Sequence, residues 1–199
     1  MPKRQQNILA DFTQDTYLVR RKIFKFLGAA FHIYDSSGNV AFYSEAKAFK
    51  LKEDIRLYSD ESMQVEVLKI KARQIVDFSA AYDVIDTVSN TKVGALKRKG
   101  WKSIIRDKWI ILDASESEIG YIQEDSLLFA YIRRHVTNLF PQTFYGFVRE
   151  EKVCMLKQNF NPGVMKIKLD FSMDNIGLLD KRLGIAAAVI LCAIERRQE

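Results

Sequence analysis

Residues 178–197 read LLDKRLGIAAAVILCAIERR, and the reading of this stretch decides the fold. From Leu183 to Ile194 no side chain is charged, and none is more polar than Cys192. At about 100° per residue the large apolar side chains Leu183, Ile185, Val189, Ile190, Leu191 and Ile194 fall all round a helical wheel. Gly184, four alanines and Cys192 fill the gaps. A helix without a polar face has to be covered on every side. Its twelve residues make roughly 18 Å, short of the roughly 30 Å hydrocarbon core of a bilayer. Charges stand on both shoulders, Asp180, Lys181 and Arg182 before it and Glu195, Arg196 and Arg197 after it. The stretch reads as a helix wrapped by the rest of its own chain.

What comes before it is β-rich. From Tyr17 onward, short runs of Val, Ile, Phe and Tyr are separated by turn residues, the pattern of an antiparallel β protein. The runs predict strands at 17–26, 31–35, 40–44, 47–51, 54–58, 63–71 and 78–85. Further strands are predicted at 92–99, 108–113, 118–123, 127–137, 143–149, 152–158 and 164–171. Two or three of these merge, leaving about twelve. In the run from Met165 to Phe171 the apolar residues alternate with Lys166, Lys168 and Asp170. A weak repeat also runs through the chain: a strand reaches an Asp (Asp35, Asp60, Asp86, Asp113), a polar turn follows, and a strand returns. Asp at a turn entry bonds backbone amides further on, so its recurrence needs no catalytic explanation.

About a dozen up-and-down strands plus one helix that is apolar all round have one economical arrangement. The sheet closes into an antiparallel barrel, mainly β in class, and the helix threads its lumen. Closure removes the sheet edges, and the helix fills a space too wide for strand side chains alone. Residues 1–16 read as a flexible N-terminal arm and 17–199 as one barrel domain. The N-terminus lacks the apolar core of a secretory signal. Cys154 and Cys192 fall at strand and core-helix positions and read as free thiols in a reducing cytoplasm.

Three stretches carry a family resemblance. YLVRRKIFKFLGAAFHIYDSSGNVAFY opens the chain, YDVIDTVSNTKVGALKRK forms a central hairpin, and LDKRLGIAAAVILCAIERR ends it. In this order they resemble the LURP-one-related family over residues 17–197. That family belongs to the superfamily of tubby C-terminal domains and phospholipid scramblases. The resemblance implies a twelve-stranded barrel around a central hydrophobic helix. It also implies kinship with tubby domains, which bind phosphoinositides at a basic surface, and with scramblases, which act at membranes. Residues 124–162 depart most from the pattern.

The catalytic inventory is poor. His32 and His135 are the two histidines, both in predicted strands, and no Cys or acidic cluster has metal-ligand spacing. No nucleophile-elbow, phosphate-loop or dinucleotide-binding glycine pattern occurs. No cofactor and no enzyme activity are expected. The acidic run Asp170-Phe-Ser-Met-Asp174-Asn175 lies where scramblases resemble a calcium loop. It lacks the glycine and the bidentate glutamate of an EF-hand loop, so it reads as a polar loop capping the helix.

The net charge of +6 favours anionic partners. The densest basic stretch holds Lys97, Arg98, Lys99, Lys102, Arg106 and Lys108 against one acid, Asp107, with Trp101 at its tip. Tryptophan among cations suits a membrane interface and also stacking on nucleic acid bases. Arg20-Arg21-Lys22 with Lys25, and Arg133-Arg134, are smaller clusters. Solvated outer strand faces would account for all three. The expectation is a non-catalytic module at a membrane surface, cytoplasmic and peripheral, recognising anionic phospholipid through the basic hairpin. The competing readings are a protein-interaction or structural barrel with a protein partner and, behind it, a nucleic-acid-binding module.

Overall fold

The computed structural model describes residues 12–24, 28–46, 54–73, 80–98, 108–125, 142–159 and 164–194. β1 (Thr16–Phe24), β2 (Gly28–Tyr34), β3 (Val40–Ala46) and β4 (Asp54–Tyr58) come first. β5 (Glu66–Ala72), β6 (Ala81–Asp86), β7 (Thr91–Arg98) and β8 (Lys108–Asp113) follow. β9 (Glu118–Glu124), β10 (Thr143–Val148), β11 (Glu151–Gln158) and β12 (Lys166–Asp170) complete the wall, and α1 (Lys181–Ile194) ends the described chain. Successive strands pair antiparallel, and β1 pairs with β12, closing the sheet into a barrel. The expected strands at 47–51 and 127–137 lie outside the described residues.

α1 fills the lumen. Every side chain from Leu183 to Cys192 is buried, against inward-facing residues such as Val19, Phe31, Ile33, Leu57, Leu68, Leu96 and Ile111. Each large apolar side chain so covered contributes about 1.5–3 kcal/mol. A Cβ at Gly184 would lie 2.5 Å from the Phe171 ring, so only glycine lets the helix pass that close.

The barrel has two different ends. At the helix-entry end, where α1 begins, the connections are the turns 35–39, 59–65, 87–90, 114–117 and 149–150 and the loop 171–180. The repeated aspartates organise them as expected. Asp35 accepts from the amides of Ser37 and Asn39 at 2.9 and 2.8 Å, and Asp113 from Ser115 and Ser117 at 2.8 and 2.9 Å. Asp86 accepts from Val88 and Ser89, and Asp60 from Ser62. Asp174 takes the amides of Leu178 and Leu179 at 2.8 and 2.9 Å, and Asp170 that of Ser172. Both carboxylates of the acidic run thus serve the loop that leads into the helix.

Asp180 caps α1 through the Arg182 amide at 2.9 Å. The Arg182 guanidinium joins Asp180 to Asp86, which is 7% exposed. Phe12 stacks on Phe42 with centroids 4.5 Å apart, and Lys181 reaches Asp15 and the Thr13 carbonyl at 2.9 and 2.8 Å. Residues 12–15, within the stretch expected as an arm, thus lie over this end. Each connection at the opposite, helix-exit end includes residues outside the described set.

Candidate functional site

The basic hairpin expected from sequence grows from the helix-exit ends of β7 and β8. Lys97 is exposed and directly opposite Ile110. Lys108, opposite Gln123 on β9, holds its ammonium 3.7 Å from the centroid of the Tyr121 ring, a cation–π contact. Both lysines are on the outer face. Arg98 is not. It shares the inward face with Leu96 and stands opposite Trp109, a lumen residue. Burial raises the Tyr82 hydroxyl above its ordinary value, and the Arg98 charge nearby partly offsets this. Lys99, Trp101, Lys102 and Arg106 lie outside the described residues.

Under Lys108 the outer wall is apolar. Ala95, Ile110 and Leu112 form a cluster separate from the lumen core, with Tyr121 against it. Tyr121 stacks on Phe147 at 5.1 Å, and Lys152 stands over the Tyr145 ring at 4.0 Å.

The second cluster divides. Tyr17, Val19 and Arg21 alternate onto the inner face, while Arg20 and Lys22 face outward. Arg21, read as a surface charge, is only 9% exposed and donates to the Cys192 carbonyl at 2.7 Å and to the Ala193 carbonyl at 3.3 Å. It satisfies helix-end carbonyls that lack partners within α1 and puts a cation at the negative end of the helix dipole. The alternation Tyr17-Val19-Arg21 was the signal for this inward position.

Closure also creates a juxtaposition that no local pattern announces. β1 and β12 place Arg20 directly opposite Lys166. β11 and β12 place Lys157 directly opposite Lys168. These four cations lie on three adjacent strands, yet Arg20 comes from the opposite end of the sequence to the other three. The outward lysines of β12 are legible in the alternation of residues 165–171. Their neighbours are not.

The remaining reactive groups are accounted for by packing. His32 sits on the outer face of β2, its Nε2 3.1 Å from Glu61, with its ring stacked on Tyr34. His135 lies outside the described residues. Cys154 and Cys192 are free and buried, and burial pushes the Cys154 thiol up to about 12. Among the described residues no three His, Cys, Asp or Glu side chains gather at a metal-binding distance. No helix among them is long and apolar enough to cross a membrane.

A solved structure matches this architecture. An X-ray structure of an Arabidopsis thaliana protein superposes with a TM-score of 0.52, covering 93% of this chain and 95% of that one at 14% identity. At that identity the likeness speaks for the fold alone. No curated protein matches the sequence. The family model described as LURP-one-related matches residues 40–182, from the start of β3 through all the later strands to the entry of the lumen helix. A closed twelve-stranded barrel around its own C-terminal helix, together with that match, shows that this chain belongs to the LURP-one-related family.

Proposed function

We propose that the protein is a non-catalytic, peripheral module that settles on an anionic phospholipid surface by the helix-exit end of its barrel. The reading assigns contact to Lys97, Lys99, Trp101, Lys102, Arg106 and Lys108, with Arg98 behind them at the barrel mouth. The observation that carries it is the outward presentation of Lys97 and Lys108 on adjacent strands at one end of the barrel. The opposite end supports it, since its turns hold Asp35, Asp60, Glu61, Asp113 and Glu116. A negative surface attracts the first end and repels the second, which orients the approach. Buried free thiols fit a reducing, cytoplasmic setting.

The test is co-sedimentation at low salt with phosphatidylcholine vesicles, the same vesicles doped with phosphatidylserine, and single-stranded DNA in parallel. Wild type is expected in the pellet only with the anionic vesicles, and Lys97→Ser/Lys99→Ser/Lys102→Ser should abolish that. Each basic residue near the surface contributes about 1 kcal/mol, and added salt should weaken the effect within a Debye length. Trp101→Ala should weaken binding at every salt concentration. If wild type binds none of the three, lipid and nucleic acid both fail, and a protein-interaction barrel is left standing.

A further inference from the structure

We infer that the seam where β1 meets β12 is a second anion-binding site, built by Arg20, Lys157, Lys166 and Lys168 for a ligand bearing two or more phosphate groups. It lies on the barrel wall and does not depend on the β7–β8 hairpin. Like charges directly opposite one another on antiparallel strands are destabilising, and the seam holds two such pairs side by side, Arg20 with Lys166 and Lys157 with Lys168.

The rest of the wall supplies the control. On β4 and β5 Arg56 also stands opposite Lys69, but carboxylates bracket them. Arg56 lies 3.0 Å from Asp54 and 3.1 Å from Glu66, and Lys69 lies 3.6 Å from Asp54. Across β6 and β7, Lys92 meets Asp83 at 3.0 Å. At the seam one acid approaches, Asp170, 3.6 Å from Lys168. Among the described residues no carboxylate pairs with Arg20, Lys157 or Lys166. The Nε of Arg20 is shielded from solvent and has no acceptor.

Neighbouring strands are about 4.8 Å apart and same-face residues of one strand about 6.7 Å apart. The four cations are therefore rooted in a patch about 10 Å by 7 Å. That is compact enough for one densely charged group, and lysine serves as a point-charge partner for phosphate. An extended nucleic acid would instead call for a longer track of cations and stacking rings. A phosphorylated lipid headgroup and a soluble polyphosphate share this chemistry.

The experiment separates the sources. Inositol hexakisphosphate is titrated calorimetrically. Phosphatidylcholine vesicles carrying phosphatidylinositol bisphosphate, or phosphatidylserine at matched charge, and single-stranded oligothymidine are run alongside. Wild type is expected to bind the inositol phosphate, the bisphosphate vesicles, or both, ahead of the matched phosphatidylserine vesicles and of DNA. Lys157→Gln/Lys166→Gln/Lys168→Gln should weaken this about a hundredfold, with an unchanged or higher Tm because repulsion is relieved. The hairpin variant Lys97→Ser/Lys99→Ser/Lys102→Ser should keep its inositol phosphate affinity, which separates failure of this site from failure of the hairpin reading. On wild type, the inositol phosphate should protect Lys157, Lys166 and Lys168 from acetylation, a readout that needs no variant. Absence of binding to every phosphate probe, a seam variant within twofold of wild type, unprotected seam lysines, or a preference for DNA would each overturn the assignment.

Discussion

Replacing Gly184 with alanine sets two effects against each other, and the geometry says which prevails. Glycine in a helix interior costs about 1 kcal/mol relative to alanine, so propensity alone favours the substitution. The added Cβ, however, would lie 2.5 Å from Cε1 and Cζ of Phe171. A comfortable carbon–carbon contact is about 3.5–4.0 Å, so the overlap is roughly 1 Å. Phe171 is 1% exposed, with the Tyr17 ring edge-on at 6.4 Å, and its ring has little room to retreat. Overpacking of this kind costs about 1–3 kcal/mol. Taking the upper end for so deep an overlap, the net loss is about 2 kcal/mol. At about 2–4 °C per kcal/mol for a chain of this size, Tm should fall by about 4–8 °C. Urea unfolding should show a lower midpoint with the slope unchanged. In a Phe171→Leu background, which removes the opposing ring atoms, the same substitution should become stabilising by up to about 1 kcal/mol. A higher Tm for Gly184→Ala in the wild-type background would refute the reasoning, as would an equal loss in both backgrounds.

Arg21→Met should lower stability by about 2–3 kcal/mol, because a charged donor to the Cys192 carbonyl is lost in a buried place; a urea midpoint that does not move would count against this. Burial raises the Asp86 carboxyl, but the Ser89 and Val88 amides and the Arg182 guanidinium outweigh it and hold the group below its ordinary range. Its contribution is therefore present above the unfolded value near 3.9 and lost as pH falls through the lower folded one. Asp86→Asn should be less stable than wild type at neutral pH and converge with it in acid, and parallel curves would contradict the linkage. The two-residue turn between β10 and β11 has Arg149 at φ 50° and Glu150 at φ 66°, a left-handed pair that suits Asn-Gly. Arg149→Asn/Glu150→Gly should raise stability by about 1–2 kcal/mol, and thermal melts showing no gain would argue against the strain.

Much of this fold is written locally. An apolar run with no polar face could only be a covered helix, and strands that end in Asp and return could only be hairpins. Each of those features is decided within a few residues. Which strands become neighbours across the closure is a different matter. Arg20 and Lys166 look alike in composition, and nothing near either one announces the other, since the pairing follows from strand number and shear. Arg21 departs from the surface expectation for a related reason: a cation is expected in water unless the sequence shows what it will meet, and its partners are carbonyls of a helix made far later in the chain. Of the basic hairpin, the outer faces of Lys97 and Lys108 fit the expectation of solvated strand faces, whereas the alternation that turns Lys97 outward turns Arg98 inward beside Leu96.

Pairing β1 with β12 also sets a timetable. The first strand off the ribosome waits for the last, and the helix that fills the space between them is made later still. Until then the nascent sheet has an open edge and an apolar concave face with nothing against it. Contacts so distant in sequence give the protein a high contact order and slow assembly. Completion thus waits until the helix has left the ribosome, and the unfinished sheet is exposed to aggregation until then. In a cell this barrel should be a client of the chaperones that hold unfinished chains, and a nonsense codon anywhere before the helix should yield a product fit only for degradation.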